Sequence, residues 1–473
     1  MARHRPDAAI DTATVVALIA GLALLAYWNA FAGAFQFDDY NVIVDNPAVA
    51  SVAAWWRSMP GIRPLLKLSY ALNREWAGGD PVSGLFGGLF NGLFIFHAVN
   101  LAIHIGTALL VYAIAHRLLV DHVHAQAVAL LAALLFLAHP AHTEAVTMIS
   151  GRSMSLMALF YLGSLLAYLE RRRWLSLAAF AVALGVRETA ITLPLALLLV
   201  DRLRSPHTPL RSAIANGVWH WLLALSMAAA LWLLPSFQYL ASVSLATRPL
   251  ADNLIAQSGA VLYLLKQALW PVALNADPTL PVFGGMSSGW NGYWVAKVAL
   301  TLTLLGGALI AWRAAGLARW TGFGLLWFFL HLAPTNSLLP RLDLANERHL
   351  YLADVGLCLI AALWLASALK TRPRLLVGLA VLLVFGLMLA THQRNRVYRD
   401  EVAFWRDVAE KSPANSRAFN NLGYALAAAG QTGAALTAYE RAIQLSPRDF
   451  KARLNRRALC RKIRAEKPGR TGC

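Results

Sequence analysis

Charge is what this 473-residue chain has least of: 14% of its residues are Asp, Glu, Lys or Arg, where a soluble domain carries about a quarter. With 58% hydrophobic residues and a mean hydropathy of +0.53, a soluble globular class is excluded. Cysteine is nearly absent. Cys358, Cys460 and Cys473 form neither a disulfide framework nor a metal-ligand spacing. A Cys460–Cys473 pair is open to a tail outside the cytoplasm, with two separate thiols as the alternative. A cleavable leader is not expected either, because the first apolar run lacks a small-residue cleavage pattern and is long enough to span a bilayer. Acidic residues are scarce, 24 against 42 basic ones, for a net charge of +18. The excess gathers at one end: His392 to Cys473 holds 17 Lys and Arg against 7 Asp and Glu. That tail reads as a separate polar unit, suited to anionic headgroups or an acidic partner rather than to nucleic acid.

What is present is a series of apolar runs. Crossing about 30 Å of hydrocarbon takes about 20 helical residues, and Lys and Arg in short loops mark the cytoplasmic side. Thr12 to Gln36 has no charged residue, and Arg3 and Arg5 before it place the N-terminus in the cytoplasm. Spans are expected at about 12–36, 90–115, 125–138, 153–169, 174–186, 189–200, 218–234, 293–312, 320–332, 350–369 and 375–390. Residues 253–270, apolar but carrying Gln257, Lys266 and Gln267, are read as re-entrant or interfacial, because a crossing there would put Arg313 to Arg319 outside. Eleven crossings leave the tail on the outer side. The fold class is an all-α polytopic membrane protein, with residues 1–391 in the membrane domain and 392–473 as a short helical domain. The first outer loop, 35–89, holds Trp55, Trp56 and Trp76, which suit helices lying in the interface.

Within the tail, Asn421-Leu422-Gly423, Leu426, Gly430, Ala434-Ala435, Tyr439, Ala442-Ile443 and Pro447 follow the spacing of one tetratricopeptide (TPR) repeat. One repeat cannot bury its own faces, so docking on the membrane domain or on a partner is expected.

This topology collects four polar groups on the outer side: Asp38/Asp39, His139 to Arg152, Arg187/Glu188, and Asn336 to Arg348. Two adjacent carboxylates at a membrane exit are costly to desolvate and so a functional candidate; an Asp capping a short helix is the alternative. Arginine grips phosphate oxygens in a fork, and a carboxylate can take a proton from an attacking hydroxyl. The set suits a substrate that is half lipid and half polar, joined by an anionic linkage. Arg187 and Glu188 read as an ion pair in a turn at membrane depth, since the 13 residues of 174–186 reach only about 20 Å. His97, Asn100 and His104 share one helical face and read as interhelical hydrogen-bonding groups. His139, His142 and Glu144 invite a metal, but they lack the i, i+4 histidine pair of a zincin helix and a third ligand. No metal ligand and no required cofactor are therefore assigned, and a divalent ion stays an open alternative to a helix stop at Pro140.

Phe37-Asp38-Asp39, Arg63-Pro64-Leu65, Phe96-His97-Ala98-Val99-Asn100, His139-Pro140-Ala141-His142-Thr143-Glu144-Ala145-Val146, Gly151-Arg152, Arg187-Glu188-Thr189 and Glu347-Arg348-His349-Leu350-Tyr351 occur in this order. The ordered set resembles the TMTC family, the transmembrane and tetratricopeptide-repeat O-mannosyltransferases of the GT-C glycosyltransferase fold. The resemblance covers most of the chain. Arg187 departs from it, standing where the family has lysine, and so does the tail, with barely more than one repeat.

The resemblance implies a sugar, mannose-like, moved with inversion from a polyprenyl-phosphate carrier to Ser or Thr hydroxyls of exported proteins, in a bacterial cytoplasmic membrane with the site and tail facing the periplasm. It implies Asp38 or Asp39 as general base, with Asp38 favoured. Arg348, Arg152 and Arg63 are implied to hold the donor phosphate, and His139, His142, Glu144, Arg187, Glu188 and Glu347 complete the candidate substrate-binding set. The partners are the lipid-linked sugar, the protein acceptor, membrane lipids, and whatever the repeat binds. A lipid or glycan acceptor, a non-catalytic membrane scaffold and a transporter are the competing classes.

Overall fold

A computed structural model of the protein describes residues 10–58, 61–78, 84–85, 90–122, 124–282, 291–336, 340–341 and 343–466. Arg3, Arg5 and Cys473, on which expectations of orientation and pairing rested, lie outside them.

Helices dominate. The first half runs α1 (Thr12–Tyr27), α2 (Val52–Arg57), α3 (Pro64–Trp76), α4 (Gly92–Leu118), α5 (Ala125–Ala138), α6 (Thr143–Val146), α7 (Arg152–Leu169), α8 (Arg173–Val186), α9 (Leu193–Arg204), α10 (Leu210–Asn216) and α11 (Val218–Leu233). Then come α12 (Pro235–Thr247), α13 (Leu250–Leu269), α14 (Gly292–Arg313), α15 (Gly316–Leu332), α16 (Leu350–Ala368) and α17 (Pro373–Asn395), and the tail helices α18 (Glu401–Lys411), α19 (Ser416–Ala428), α20 (Thr432–Leu445) and α21 (Phe450–Glu466). The one strand pairing among the described residues joins Gly84–Leu85 to Phe90–Asn91. Starts are set locally: Asp11, Ser51, Asn291, Asp400 and Asn415 each accept a backbone N–H of the first turn. Proline, which has no N–H to donate, opens α3, α12 and α17.

Six helical segments are long and apolar enough to cross a membrane: Thr12–Ala32, Gly92–Leu118, Ile149–Leu169, Gly292–Arg313, Glu347–Ala368 and Pro373–Tyr398. Two bent pairs raise the number to eight, Ala125–Ala138 with Pro140–Val146 at 52° and Leu210–Asn216 with Val218–Leu233 at 71°. The other three of the eleven expected spans are shorter: α8, α9 and α15 have 14, 12 and 17 residues. By length and composition the described residues hold six to eight candidate spans, as in a multi-pass membrane protein. The segment read as re-entrant or interfacial lies in a continuous 20-residue helix, α13, which removes a re-entrant break, with Asn253, Gln257 and Gln267 buried along it.

The main core packs α1, α4, α5, α7, α8, α9, α16 and part of α17 around Tyr27, Phe96, Phe136, Tyr161, Phe180 and Tyr351. The polar stripe of α4 is buried as expected. His97 Nε2 is 3.2 Å from the Gly33 carbonyl, Asn100 donates to Val146 O at 3.0 Å, and His104 contacts Tyr351 Oη at 2.8 Å and Leu137 O at 3.0 Å. In the first loop, Trp56 and Trp76 are exposed, but Trp55 is buried and donates to Pro64 O at 2.9 Å.

The tail forms consecutive antiparallel helices. Gly423 on α19 lets α20 approach: a Cβ there would stand 2.7 Å from the Tyr439 ring. The first tail helix docks on the bundle, with Phe404 and Trp405 packed against Phe37, Met148 and Ala276.

Candidate functional site

The turn after α1 sets the site. Phe37 has φ of 39°, a left-handed conformation that a bulky side chain adopts only under constraint. Its ring meets Trp405 edge-on at 5.2 Å. Strain there directs the two aspartates to different places. Asp39 is fully buried, accepting Gln36 N–H at 2.8 Å and Ser150 N–H at 2.7 Å. Burial pushes its carboxyl up to about 6 in spite of those donors. Asp38 is 37% exposed, with Oδ2 at 3.5 Å from Arg348 Nη1.

Arg348 links Asp38 to Glu144. Its backbone N–H donates to Glu144 Oε2 at 2.8 Å, and its Nε lies 3.5 Å from Oε1. Glu144 can come this close to the start of α7 because position 151 is glycine. A Cβ on Gly151 would stand 2.0 Å from the Glu144 carbonyl oxygen. Glu144, Arg348 and Phe37 line a small cleft completed by Met148, Asp343, Asn346, Phe404, Trp405 and Arg417, so the tail forms one wall.

Next to it, Arg63 also takes a left-handed conformation, φ 64°, at the start of α3. Its guanidinium forks onto Glu188 at 2.8 and 2.5 Å. Burial works against both charges, but the ion pair prevails, holding Glu188 down to about 2 and raising Arg63. The Arg187–Glu188 pair expected from the sequence is not formed. Arg187 is extended, with φ of −156°, so neighbouring side chains project apart, and Arg187 donates to Ser153 Oγ at 2.8 Å. Its Nε and both ring nitrogens of buried His349 have no hydrogen-bond partner. Burial depresses Arg187 well below its ordinary value, with Arg63, Arg348 and Arg341 adding to the depression. Four guanidinium groups thus share one electrostatic neighbourhood.

Four of the expected residues sit apart from this group. Arg152 is fully buried, and its three nitrogens are bonded within the protein: to Asn100 at 2.6 Å, to Asn73 and the Ser69 carbonyl, and to Phe96 O at 3.1 Å. Its guanidinium stacks over Tyr70 at 4.9 Å. Glu347 faces the tail instead, 3.4 Å from Arg394, which continues at 2.7 Å to Asp407. His139 and His142 converge on Asp354, a residue that sequence reasoning did not single out. Asp354 lies six positions after Arg348 in an otherwise apolar helix, and an isolated intramembrane carboxylate was the available signal. Arg341 and His349 stood only inside longer stretches that the sequence marked as polar, with no role of their own, and Arg394 was not singled out.

A further cavity lies elsewhere, a groove of about 460 Å³ between α13, α14 and α15, lined mainly by Leu, Val, Ile and Phe. Its polar end is Gln257 and Asn336, and Asn336 donates to Leu344 O at 2.8 Å, toward the loop that carries Arg348.

No protein-family profile matches the chain. It is 24% identical to the protein O-mannosyl-transferase F38B6.6 of Caenorhabditis elegans over 91% of this chain and 62% of that protein. It is 25% identical to the protein O-mannosyl-transferase Tmtc3 of Drosophila melanogaster over 91% of this chain and 55% of that protein. The human protein O-mannosyl-transferase TMTC4 is likewise 25% identical, over 89% of this chain and 65% of its own length. The chain spans about three fifths of the length of these relatives. Over most of its own length, this chain's homologues are therefore protein O-mannosyl-transferases of the TMTC family.

Proposed function

We propose that the chain is a membrane glycosyltransferase that moves a mannose-like sugar from a polyprenyl-phosphate carrier to Ser or Thr hydroxyls of proteins. The observation that carries this reading is the solvent-facing carboxylate of Asp38 held 3.5 Å from Arg348, beside the cationic neighbourhood of Arg63, Arg187 and Arg341. The names of the relatives support a sugar transferred to protein.

In this reading Asp38 takes the proton of the acceptor hydroxyl as its oxygen attacks the sugar's anomeric carbon from the face opposite the carrier. The bond from that carbon to the phosphate oxygen breaks, and the lipid phosphate leaves with the electron pair. Arg348, with Arg63 and Arg187 behind it, stabilises the charge that develops there. Asp39, bonded to Gln36 and Ser150, positions its neighbour. The groove between α13, α14 and α15 suits the carrier's hydrocarbon tail, because its lining is mostly apolar, with Gln257, Ser258, Thr301 and Asn336 the only polar residues in it.

The same reading takes α1 to α17 as a GT-C membrane domain of eleven crossings, 1–391, in a bacterial cytoplasmic membrane, with the cleft and the tail on the periplasmic side. It takes residues 392–473 as a TPR unit whose outer face meets the acceptor or a partner. Support comes from Arg117, Arg171, Arg172, Arg202 and Arg319, which stand at helix ends or in the α7–α8 turn and outside the cleft lining, as the positive-inside rule expects.

The test is transfer in vitro. Purified protein in nanodiscs, given a polyprenyl-phosphate mannose and exported-protein peptides, is expected to produce O-mannosylated Ser or Thr detectable by mass spectrometry. Sugar appearing only on lipid, or none appearing with a panel of lipid-linked sugars, would overturn the reading.

A further inference from the structure

Beneath the cleft, two stretches of chain meet at three buried side chains. His139 and His142 flank the turn that Pro140 forces at the end of α5, and Asp354 lies in the second turn of α16. One side-chain atom from each falls within 4.8 Å of the other two. The hydrogen bonds decide which nitrogens face inward. His139 Nε2 is 2.9 Å from Ala268 O, and His142 Nδ1 is 2.8 Å from Phe136 O. A carbonyl only accepts, so each of those nitrogens carries the ring proton.

In the neutral rings, His139 Nδ1 and His142 Nε2 therefore carry lone pairs, and that of His139 also accepts the Ala141 N–H at 3.3 Å. They face Asp354 Oδ2 at 3.5 and 3.2 Å. His142 Nε2 and both oxygens of Asp354 have no hydrogen-bond partner. Three electron-rich atoms aimed at one point, with side chains at most 7% exposed, require positive charge between them. A single proton between His142 Nε2 and Asp354 would leave the second carboxylate oxygen without a partner, while a metal ion draws both nitrogens and the carboxylate together.

We propose that His139 Nδ1, His142 Nε2 and Asp354 form a binding site for a divalent metal ion of the zinc type. Two imidazoles and one carboxylate suit zinc or a neighbouring first-row ion better than calcium or magnesium, which take oxygen ligands. Ligand atoms about 2.0–2.2 Å from a tetrahedral ion stand roughly 3.4 Å apart, and both histidine-to-aspartate separations match. The Ala268 and Phe136 carbonyls are the outer partners that fix the tautomer and aim of metal-binding histidines. Glu144, once a candidate third ligand, is turned toward Arg348 instead.

The ion acts as a positioning clamp. Glu144 follows His142 by two residues, and Arg348 precedes Asp354 by six. Tying the Pro140 turn to α16 therefore fixes the two segments whose side chains meet in the cleft. The inference does not depend on the transferase reading, since a different reaction in the cleft would leave the ligand geometry unchanged.

The experiment uses the full chain in nanodiscs, purified without chelator, with metal content measured by mass spectrometry. A second sample is stripped and reloaded with cobalt, then read by visible ligand-field absorption and X-ray absorption fine structure. About one zinc-type ion per chain is expected, with a four- or five-coordinate cobalt spectrum and two imidazole nitrogens in the first shell. His142→Ala and Asp354→Asn are expected to lower the metal content at least about tenfold, and Glu144→Gln to leave it unchanged. Wild-type protein that binds neither zinc nor cobalt after desalting would overturn the proposal, as would undiminished metal in both ligand variants. Should those variants not fold, the wild-type cobalt spectrum and nitrogen count decide the question alone.

Discussion

Arg348 is held by Glu144 at two points, backbone and side chain: its N–H donates to Oε2 at 2.8 Å, while its Nε stands 3.5 Å from Oε1. That double hold leaves Nη1 directed at Asp38, 3.5 Å away. Lysine has neither the fork nor the planar reach to keep both contacts. Arg348→Lys is expected to lower kcat/KM for sugar transfer on the order of a hundredfold, with much of the loss in KM for the lipid-linked donor. Steady-state kinetics over a range of donor concentrations checks this, and a KM unchanged from wild type would remove Arg348 from donor binding.

The two adjacent aspartates are expected to fail in different ways. Asp38→Asn keeps the size of an exposed side chain and removes the proposed proton acceptor, so transfer is expected to fall by about 10²- to 10⁴-fold with the melting temperature unmoved. Asp39→Ala strands the N–H groups of Gln36 and Ser150 inside the protein and costs about 1–3 kcal/mol for a buried unsatisfied group. Thermal unfolding and transfer rates measured on both variants separate the roles. The assignment fails if Asp38→Asn is active and Asp39→Ala melts normally.

The aspartate pair also predicts a pH dependence of stability. Burial raises the Asp39 carboxyl from 3.8 to about 6, so the folded state keeps this proton after the unfolded chain has lost it. Stability from this group is complete below about pH 4 and declines as pH rises to about 6, by at most about 3 kcal/mol. Glu188 has the opposite sign in a lower window: held down to about 2, it adds stability between about pH 2 and 4.5 as pH rises. Measured by melting curves, the stability of wild type relative to Asp39→Asn, which does not titrate, should therefore fall as pH rises from about 4 to about 7. Parallel curves would show that Asp39 titrates normally.

The sequence made the helices legible because their pattern is local: an uncharged run bounded by Asp, Pro or Arg needs no tertiary information. It also placed Asp38, Glu144, Arg348, Arg187 and Glu188 on one side, since each stands near where an apolar run stops, with Arg63 in the loop on that side. Pairing was not legible. Arg187 and Glu188 are neighbours in sequence, yet an extended backbone sends one to Ser153 and the other to Arg63 across the fold. Nor could spacing show that Arg152 would spend its guanidinium holding α3, α4 and α7 together. Asp354 was hidden for the same reason, because a single carboxylate in an apolar helix acquires meaning only beside two histidines from 212 and more positions earlier.

The tail closes one side of the cleft through contacts that can be broken without touching the core. Arg417 bridges Asp277 and Asp343, each at 2.5 Å, while Trp405 rests on Phe37. Arg417 is 39% exposed, so solvent screens the bridge and its loss alone is worth about 1 kcal/mol or less. Arg417→Glu does more, because it sets a third carboxylate against two. The expected outcome is local: hydrogen exchange speeds up in α18 and α19, and a protease nicks the 412–415 connection, while the membrane helices melt as before. Phe37 loses part of the packing that holds its left-handed turn, so transfer is expected to fall severalfold through Asp38, which that turn positions. Exchange mass spectrometry on the intact chain, paired with a transfer assay, reads both effects. Unchanged exchange in α18 would mean that the apolar contact alone holds the tail, and full activity with a loosened tail would mean that the wall it forms is dispensable to the cleft.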